Sequence, residues 1–239
     1  MGILETMRAE AAGIPLWPEH RARLVRCGNL SPESLAAIES AVRDLLEQGN
    51  DWCVPLRLRL RYGIVDGCVR WDLSAEPLIP LAAWSGGVEL IPCSTMFPLA
   101  SKRSAGCKTI EREVYNRAAL ELGAEPGAKE GLMLEQGGNV IETLRCNLLV
   151  FTGGEWVTPD LSYYGVHGVM RSWLMGKLPI KETSLDLAAL KKADEVALCN
   201  SLRGVIPVVS LRGDRQSQYG SGVFPATARL QQLVAKELW

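Results

Sequence analysis

The alternation of apolar and polar positions is clearest at Leu56–Arg61, where LRLRLR puts leucines on one face of a strand and arginines on the other. Val65–Trp71 is expected to return beside it, turned at Asp66–Gly67. Earlier in the chain, Ile3–Met7 reads as a short strand and Ala12–Gly13 as a turn. Pro18 opens a helix through His20–Cys27. A second helix starts at Ser31, Pro32 and Glu33, carries Leu35, Ile38, Val42, Leu45 and Leu46 at helical spacing, and stops at Gly49–Asn50. Pro77–Trp84 reads as a proline-interrupted strand and Val88–Cys93 as a further strand. The pattern predicts a small domain with helices against a mostly antiparallel sheet.

Ser94–Gly106 is polar and without periodicity, so it reads as a connection. Thr109–Leu122 has a helical pattern ended by Gly123. Gly131–Pro159 then reads strand, turn, strand, polar loop, strand, turn, strand, with apolar runs at Leu132–Leu134 and Leu148–Phe151. A helix start within Val166–Leu174, a short helix at Leu185–Leu190, strands at Val196–Leu198 and Gly204–Ser210, and a terminal helix at Leu230–Leu238 complete the chain. The expected division is a small domain over 1–96, a linker over 97–106 and a large domain over 107–239.

Composition narrows the function classes. At 239 residues and 47% hydrophobic the chain can bury a real core, and a net charge of -1 gives no field for nucleic acid. Arg57, Arg59 and Arg61 share a face that must be wet or meet anions. Seven scattered cysteines without CxxC, and two histidines, argue against a metal site and a disulfide scaffold. Reduced thiols in the cytoplasm are the expectation. No apolar run reaches the roughly 20 residues of a membrane span, and MGILETMRAE lacks a signal-peptide pattern.

The chemistry concentrates around Glu142. An acid between two apolar strands, with Asn147 at the mouth of the next, is either a strand end facing water or a buried carboxylate that needs a partner. Glu142, Asn147, the apolar strand Leu148–Phe151, Gly153–Gly154 and Thr158–Pro159 follow one another in a distinctive order. LETMR at Leu4–Arg8, HRARL at His20–Leu24, Lys108 within GCKTIERE, GVMR at Gly168–Arg171 and ADEVALCNSLRGVIPV add to it. This ordered set resembles the fold type IV pyridoxal-phosphate enzymes, which include branched-chain and D-amino-acid aminotransferases and 4-amino-4-deoxychorismate lyases. The resemblance implies an α+β, two-domain fold, with a small α/β sandwich and a larger pseudo-barrel domain. Family members usually carry a longer segment before LETMR, so a first strand is expected to be missing.

The resemblance also implies the site. Lys108 would bind pyridoxal 5'-phosphate covalently, with Lys102 as the alternative, and Glu142 would face the ring nitrogen. Arg23, the backbone of Val169 and Met170, Ser201 and the backbone of Leu202 would hold the phosphate; Arg171 would brace the segment. Met170 stands where the family has a threonine, so its hydroxyl is lost. Glu113 stands five residues after Lys108, where aminotransferases carry a tyrosine, and CNSLRGVIPV looks like the lyase version of its segment. The preferred expectation is a lyase giving 4-aminobenzoate and pyruvate from 4-amino-4-deoxychorismate. The alternative is an aminotransferase on D-amino or branched-chain acids, and a catalytically silent relative is a third. The family is usually a homodimer acting on a small-molecule substrate.

Overall fold

The LRLRLR segment forms the middle of a three-stranded antiparallel sheet. The computed structural model describes residues 2–48, 54–66, 68–98, 105–123, 128–213, 219 and 222–239. The expected helix stop at Gly49–Asn50, the turn residue Gly67 and the alternative lysine Lys102 lie outside the described residues. The sheet runs β1 (Ile3–Ala9), β2 (Leu56–Val65), β3 (Cys68–Pro77). Its leucine face, Leu56, Leu58 and Leu60, joins Ile3 and Met7 in one apolar cluster with Leu24 of α1 (Trp17–Gly28) and Ile38 of α2 (Pro32–Gln48). Pro near the first position starts α1, and Asn29 in left-handed backbone (φ 46°) ends it. Ser31 Oγ accepts the Ser34 N–H at the start of α2 (3.2 Å).

Two arginines of the polar face meet acids on the neighbouring strand, while Arg59 lies opposite Ser74. Arg57 lies opposite Glu76 and Arg61 opposite Asp72, with ion-pair distances of 2.5 and 2.9 Å. The like-charge repulsion is relieved across the ladder. Both pairs are exposed and contribute little to stability.

Contacts group Met1–Pro80 with Cys107–Glu111 and Leu238–Trp239 in one unit, and Leu81–Gly106 with Arg112–Glu237 in the other. The units are thus drawn differently from the sequence division. Cys107–Glu111 stays with β1 because Leu4 N–H donates to Lys108 O (2.8 Å) and Ile110 N–H to Gly2 O (2.9 Å). The same pairing delays the helix expected from Thr109, which begins at Glu113 instead. The expectation of reduced thiols is corrected at one pair: Cys27 of α1 is disulfide-bonded to Cys107, while Cys68, Cys93, Cys146 and Cys199 are free.

The second unit holds an eight-stranded mixed sheet. Its strands are β4 (Val88–Pro92), β5 (Lys129–Leu134), β6 (Val140–Thr143), β7 (Asn147–Thr152), β8 (Glu155–Pro159), β9 (Lys181–Thr183), β10 (Glu195–Asn200) and β11 (Gly204–Leu211), in the order β6-β5-β4-β11-β10-β7-β8-β9. Helices α3 (Glu113–Glu121), α4 (Val169–Lys177), α5 (Leu187–Lys191) and α6 (Pro225–Glu237) accompany it. Leu132 and Leu134 join one apolar cluster and Met133 another. Both faces of β5 are therefore covered, which is why its sequence is a continuous apolar run rather than an alternation. The strand expected at Pro77–Trp84 is not formed. β3 ends at Pro77 and a 3-10 turn occupies Ala82–Trp84, since prolines 77 and 80 cannot donate to a ladder. The fold class is α+β, and no helix among the described residues is long and apolar enough to cross a membrane.

Leu58 is fully buried in β2 and Ile64, on the same strand, is 59% exposed. Leu58→Ala is expected to lower the unfolding free energy by about 2–5 kcal/mol, and Ile64→Ala by less than about 0.5 kcal/mol. Urea titrations of the two variants check this, and equal losses would contradict the placement of the strand.

Candidate functional site

Glu142 lies one residue before the end of β6 and is 3% exposed, so the reading of a strand end facing water is set aside. The turn that follows is closed by Thr143 and Cys146. Thr143 N–H donates to Cys146 O (2.8 Å) and Cys146 N–H to Thr143 Oγ1 (2.9 Å). That closure brings Asn147, the first residue of β7, back to the carboxylate. Asn147 Nδ2 and Val166 N–H both donate to Glu142 Oε2 (3.1 Å each), and Tyr115 O–H donates to Oε1. Asn147 Nδ2 also reaches Val166 O (2.9 Å), so the amide clamps strand and loop together. Gly165 permits the close approach. Its φ is +76°, and a Cβ there would meet Ile141 Cγ2 at 2.9 Å and Glu142 Cδ at 3.3 Å. Burial, then the Glu142 charge and hydrogen bond, push the Tyr115 phenol well above its ordinary pKa.

The start of α4 stands beside this cluster. Gly168 precedes the helix in extended backbone with no side-chain cap. A Cβ on Gly168 would overlap Asn147 Oδ1, so the bare backbone is required. Val169 and Met170 turn their side chains into the core, at 4% and 0% exposure, and offer the first-turn N–H groups that a helix cannot satisfy internally. Arg171 ties α4 to β8 and β9. It donates to Thr158 Oγ1 (3.0 Å), Pro159 O (3.1 Å) and the Glu182 carboxylate. Between β10 and β11, Asn200 Oδ1 accepts the N–H groups of Leu202 (3.0 Å) and Arg203 (2.8 Å). The Leu202 N–H, expected to face a phosphate, thus shapes the turn. Ser201 sits half-buried in it.

Lys108 belongs to the other unit. Its Nζ donates to Thr6 Oγ1 of β1 (3.0 Å), and the preceding Cys107 is anchored to α1 by the disulfide. Near it lies a buried polar triad. Arg23 Nε and Nη2 donate to Glu5 Oε1 (2.8 Å) and Oε2 (2.5 Å), and His20 Nδ1 meets Glu5 Oε2 (2.6 Å). Burial opposes the Glu5 charge, but the Arg23 charge and hydrogen bond, helped by His20, outweigh it and bring its pKa down to about 2. Burial lowers the His20 pKa against the pull of Glu5, and its Nδ1 faces the Glu5 carboxylate. Its Nε2 is buried and has no hydrogen-bond partner among the described residues. Arg23, expected on a phosphate, has two nitrogens committed to Glu5.

Tyr115 lies outside every motif above, and Glu5 and Thr6 lie inside LETMR without a role of their own there. Glu5 carried a signal, an acid in the apolar β1; Tyr115 carried none, because its partner is 27 residues away.

Residues 2–211 match the model of the amino-transferase class IV family. An aminodeoxychorismate lyase of Bacillus subtilis is 32% identical over 126 residues, which is 51% of this chain and 42% of that protein. The match thus spans under half the length of that curated relative. The crystal structure of 4-amino-4-deoxychorismate lyase from Pseudomonas aeruginosa is 30% identical with a TM-score of 0.84, covering 99% of this chain and 91% of that one. A hypothetical aminotransferase from Mycobacterium tuberculosis, in its PLP-bound form, shares the fold at 19% identity and a TM-score of 0.80, covering 99% of this chain and 88% of its own.

Because the folded-state pKa of Glu5 is depressed, its contribution to stability is present above about 4.5 and fades as pH falls through about 2. Glu5→Gln is expected to cost about 3–5 kcal/mol near neutral pH, since Arg23 loses its buried counter-charge. The gap from the unsubstituted protein should narrow between those two pH values. Urea unfolding across that range checks it; a gap independent of pH would refute the ionised triad.

Proposed function

The chain belongs to the amino-transferase class IV family, and from that premise we propose that it is a pyridoxal-phosphate-dependent lyase converting 4-amino-4-deoxychorismate to 4-aminobenzoate and pyruvate. The observation that carries the cofactor assignment is the Glu142 carboxylate, sealed from water yet held by donors on both oxygens. Such a group suits a protonated ring nitrogen. The bare backbone at Gly168 and the first-turn N–H groups of α4 suit a phosphate. The choice of lyase is supported by the likeness to two proteins of that name and by the Asn200–Ser201–Leu202 turn with Glu113 after Lys108.

Pyridoxal phosphate, when bound, supplies an electron sink for the amine-bearing carbon of the substrate. Lys108 Nζ would hold the cofactor and, once displaced by the substrate amine, take the proton from that carbon. Glu142 would keep a proton on the ring nitrogen. Val169 and Met170 N–H groups and the Ser201 hydroxyl would hold the phosphate. For Arg23, bracing unit 1 through Glu5 is better supported than direct phosphate contact. Pyruvate leaves as the carbocycle aromatises, so no amino acceptor is required.

Purified protein supplied with cofactor and 4-amino-4-deoxychorismate should release 4-aminobenzoate and pyruvate in equal amounts. Lys108→Ala should lower the rate by at least about 100-fold, and borohydride should fix the cofactor on Lys108. A keto acid together with aminated cofactor would identify an aminotransferase instead, and no turnover with either substrate set would remove the enzyme assignment.

A further inference from the structure

The carboxylate of Glu142 is gripped from two sides. Oε2 takes the Asn147 amide, from the start of β7, and the Val166 N–H, from the loop that leads into α4. Oε1 takes the Tyr115 hydroxyl, which arrives from the first turn of α3. A terminal carboxylate torsion is soft, so donors on a single oxygen would leave its plane free to turn; donors on both oxygens set it.

Tyr115 is itself held firmly. The Arg112 guanidinium carbon stands 3.8 Å from the centre of its ring, and Phe97 meets it edge-on at 5.5 Å and 77°. Arg112 also donates to Leu144 O (2.8 Å), two residues beyond Glu142, which fastens the start of α3 to the turn after β6. The phenol stays protonated across any ordinary working pH, because burial and the adjacent Glu142 charge both oppose its ionisation. Its proton therefore points one way, toward the carboxylate.

We propose that Tyr115 is a positioning residue, which sets the plane and the acceptor strength of the Glu142 carboxylate and through it the proton on the cofactor ring nitrogen. This rests on the reading above, in which that nitrogen faces Glu142. Tyr115 touches no reacting atom; its effect passes through Glu142.

The test uses the full chain with bound pyridoxal phosphate and follows the cofactor absorbance against pH. Tyr115→Phe keeps the ring contacts with Arg112 and Phe97 and removes only the hydroxyl. The acid-side spectral transition should move up by about one pH unit, the size of one hydrogen bond to a charged acceptor. kcat should fall about tenfold with KM nearly unchanged. Added to Glu142→Gln, the same change should do nothing further to the spectrum. Fluorotyrosine incorporated at Tyr115, a stronger donor with the same shape, should move the transition down and covers the case in which the Phe variant folds poorly. Without cofactor, the losses of unfolding free energy for Tyr115→Phe and Glu142→Gln should be non-additive. If the unsubstituted protein binds cofactor normally and neither change at Tyr115 moves the transition, this inference fails and the proposed function stands. If the unsubstituted protein binds no cofactor, the proposed function fails and this inference with it.

Discussion

A carboxylate removed from water must be compensated on the spot, and the local structure around Glu142 is the record of how that is done. Strand β6 delivers the acid, and the turn at Thr143–Cys146 returns Asn147 to it. Gly165 lets the loop lie against it, and Gly168 stays bare because Asn147 has been committed there. The approach of the loop and the entry of α4 are thus two consequences of one desolvated charge. Other buried acids in this unit show the structural alternative. Glu195 accepts the Ala226 and Thr227 N–H groups at 2.8 Å each and so caps the start of α6. Glu130 is matched by Arg145 at 2.5 Å. Those two are explained by the elements they hold in place. Glu142 is gathered instead by a tyrosine, an amide and a loop N–H beside an uncapped helix start, which is an arrangement suited to receiving something.

The first unit solves a similar problem differently. Glu5, Arg23 and His20 form a compact set at the junction of β1 and α1, and the low pKa of Glu5 shows that the pairing with Arg23 overcomes burial. The segment that carries Lys108 is pinned to the same two elements, by its backbone to β1 and by Cys107 to Cys27 of α1. Lys108 is therefore a tethered amine with a hydroxyl partner, rather than a mobile surface lysine.

Much of this architecture was legible in the residues. LRLRLR gave β2 its faces, the Ser31–Pro32–Glu33 start gave α2, and the apolar run at Leu132–Leu134 gave β5. Periodicity reports which face a side chain takes; it does not report what lies opposite. The acids of β3 opposite Arg57 and Arg61 follow from the register of the expected hairpin, but the hydroxyl of Tyr115 on Glu142 and the bond between Cys27 and Cys107 join distant segments, and no local pattern encodes them. Arg23 shows the same limit. Its position in HRARL was readable, yet the choice between a ligand and Glu5 depends on β1 packing against α1. The failed strand at Pro77–Trp84 had a local signal, two prolines, that outweighed its apolar content.

The central claim is that Glu142 keeps a proton on the ring nitrogen of a bound pyridoxal phosphate. Nitrogen-15 NMR of the protein loaded with ring-labelled cofactor reads that proton directly. The account predicts the chemical shift of a protonated pyridine nitrogen in the unsubstituted protein and of a neutral one in Glu142→Gln. The same shift in both, or a neutral nitrogen in the unsubstituted protein, would contradict it.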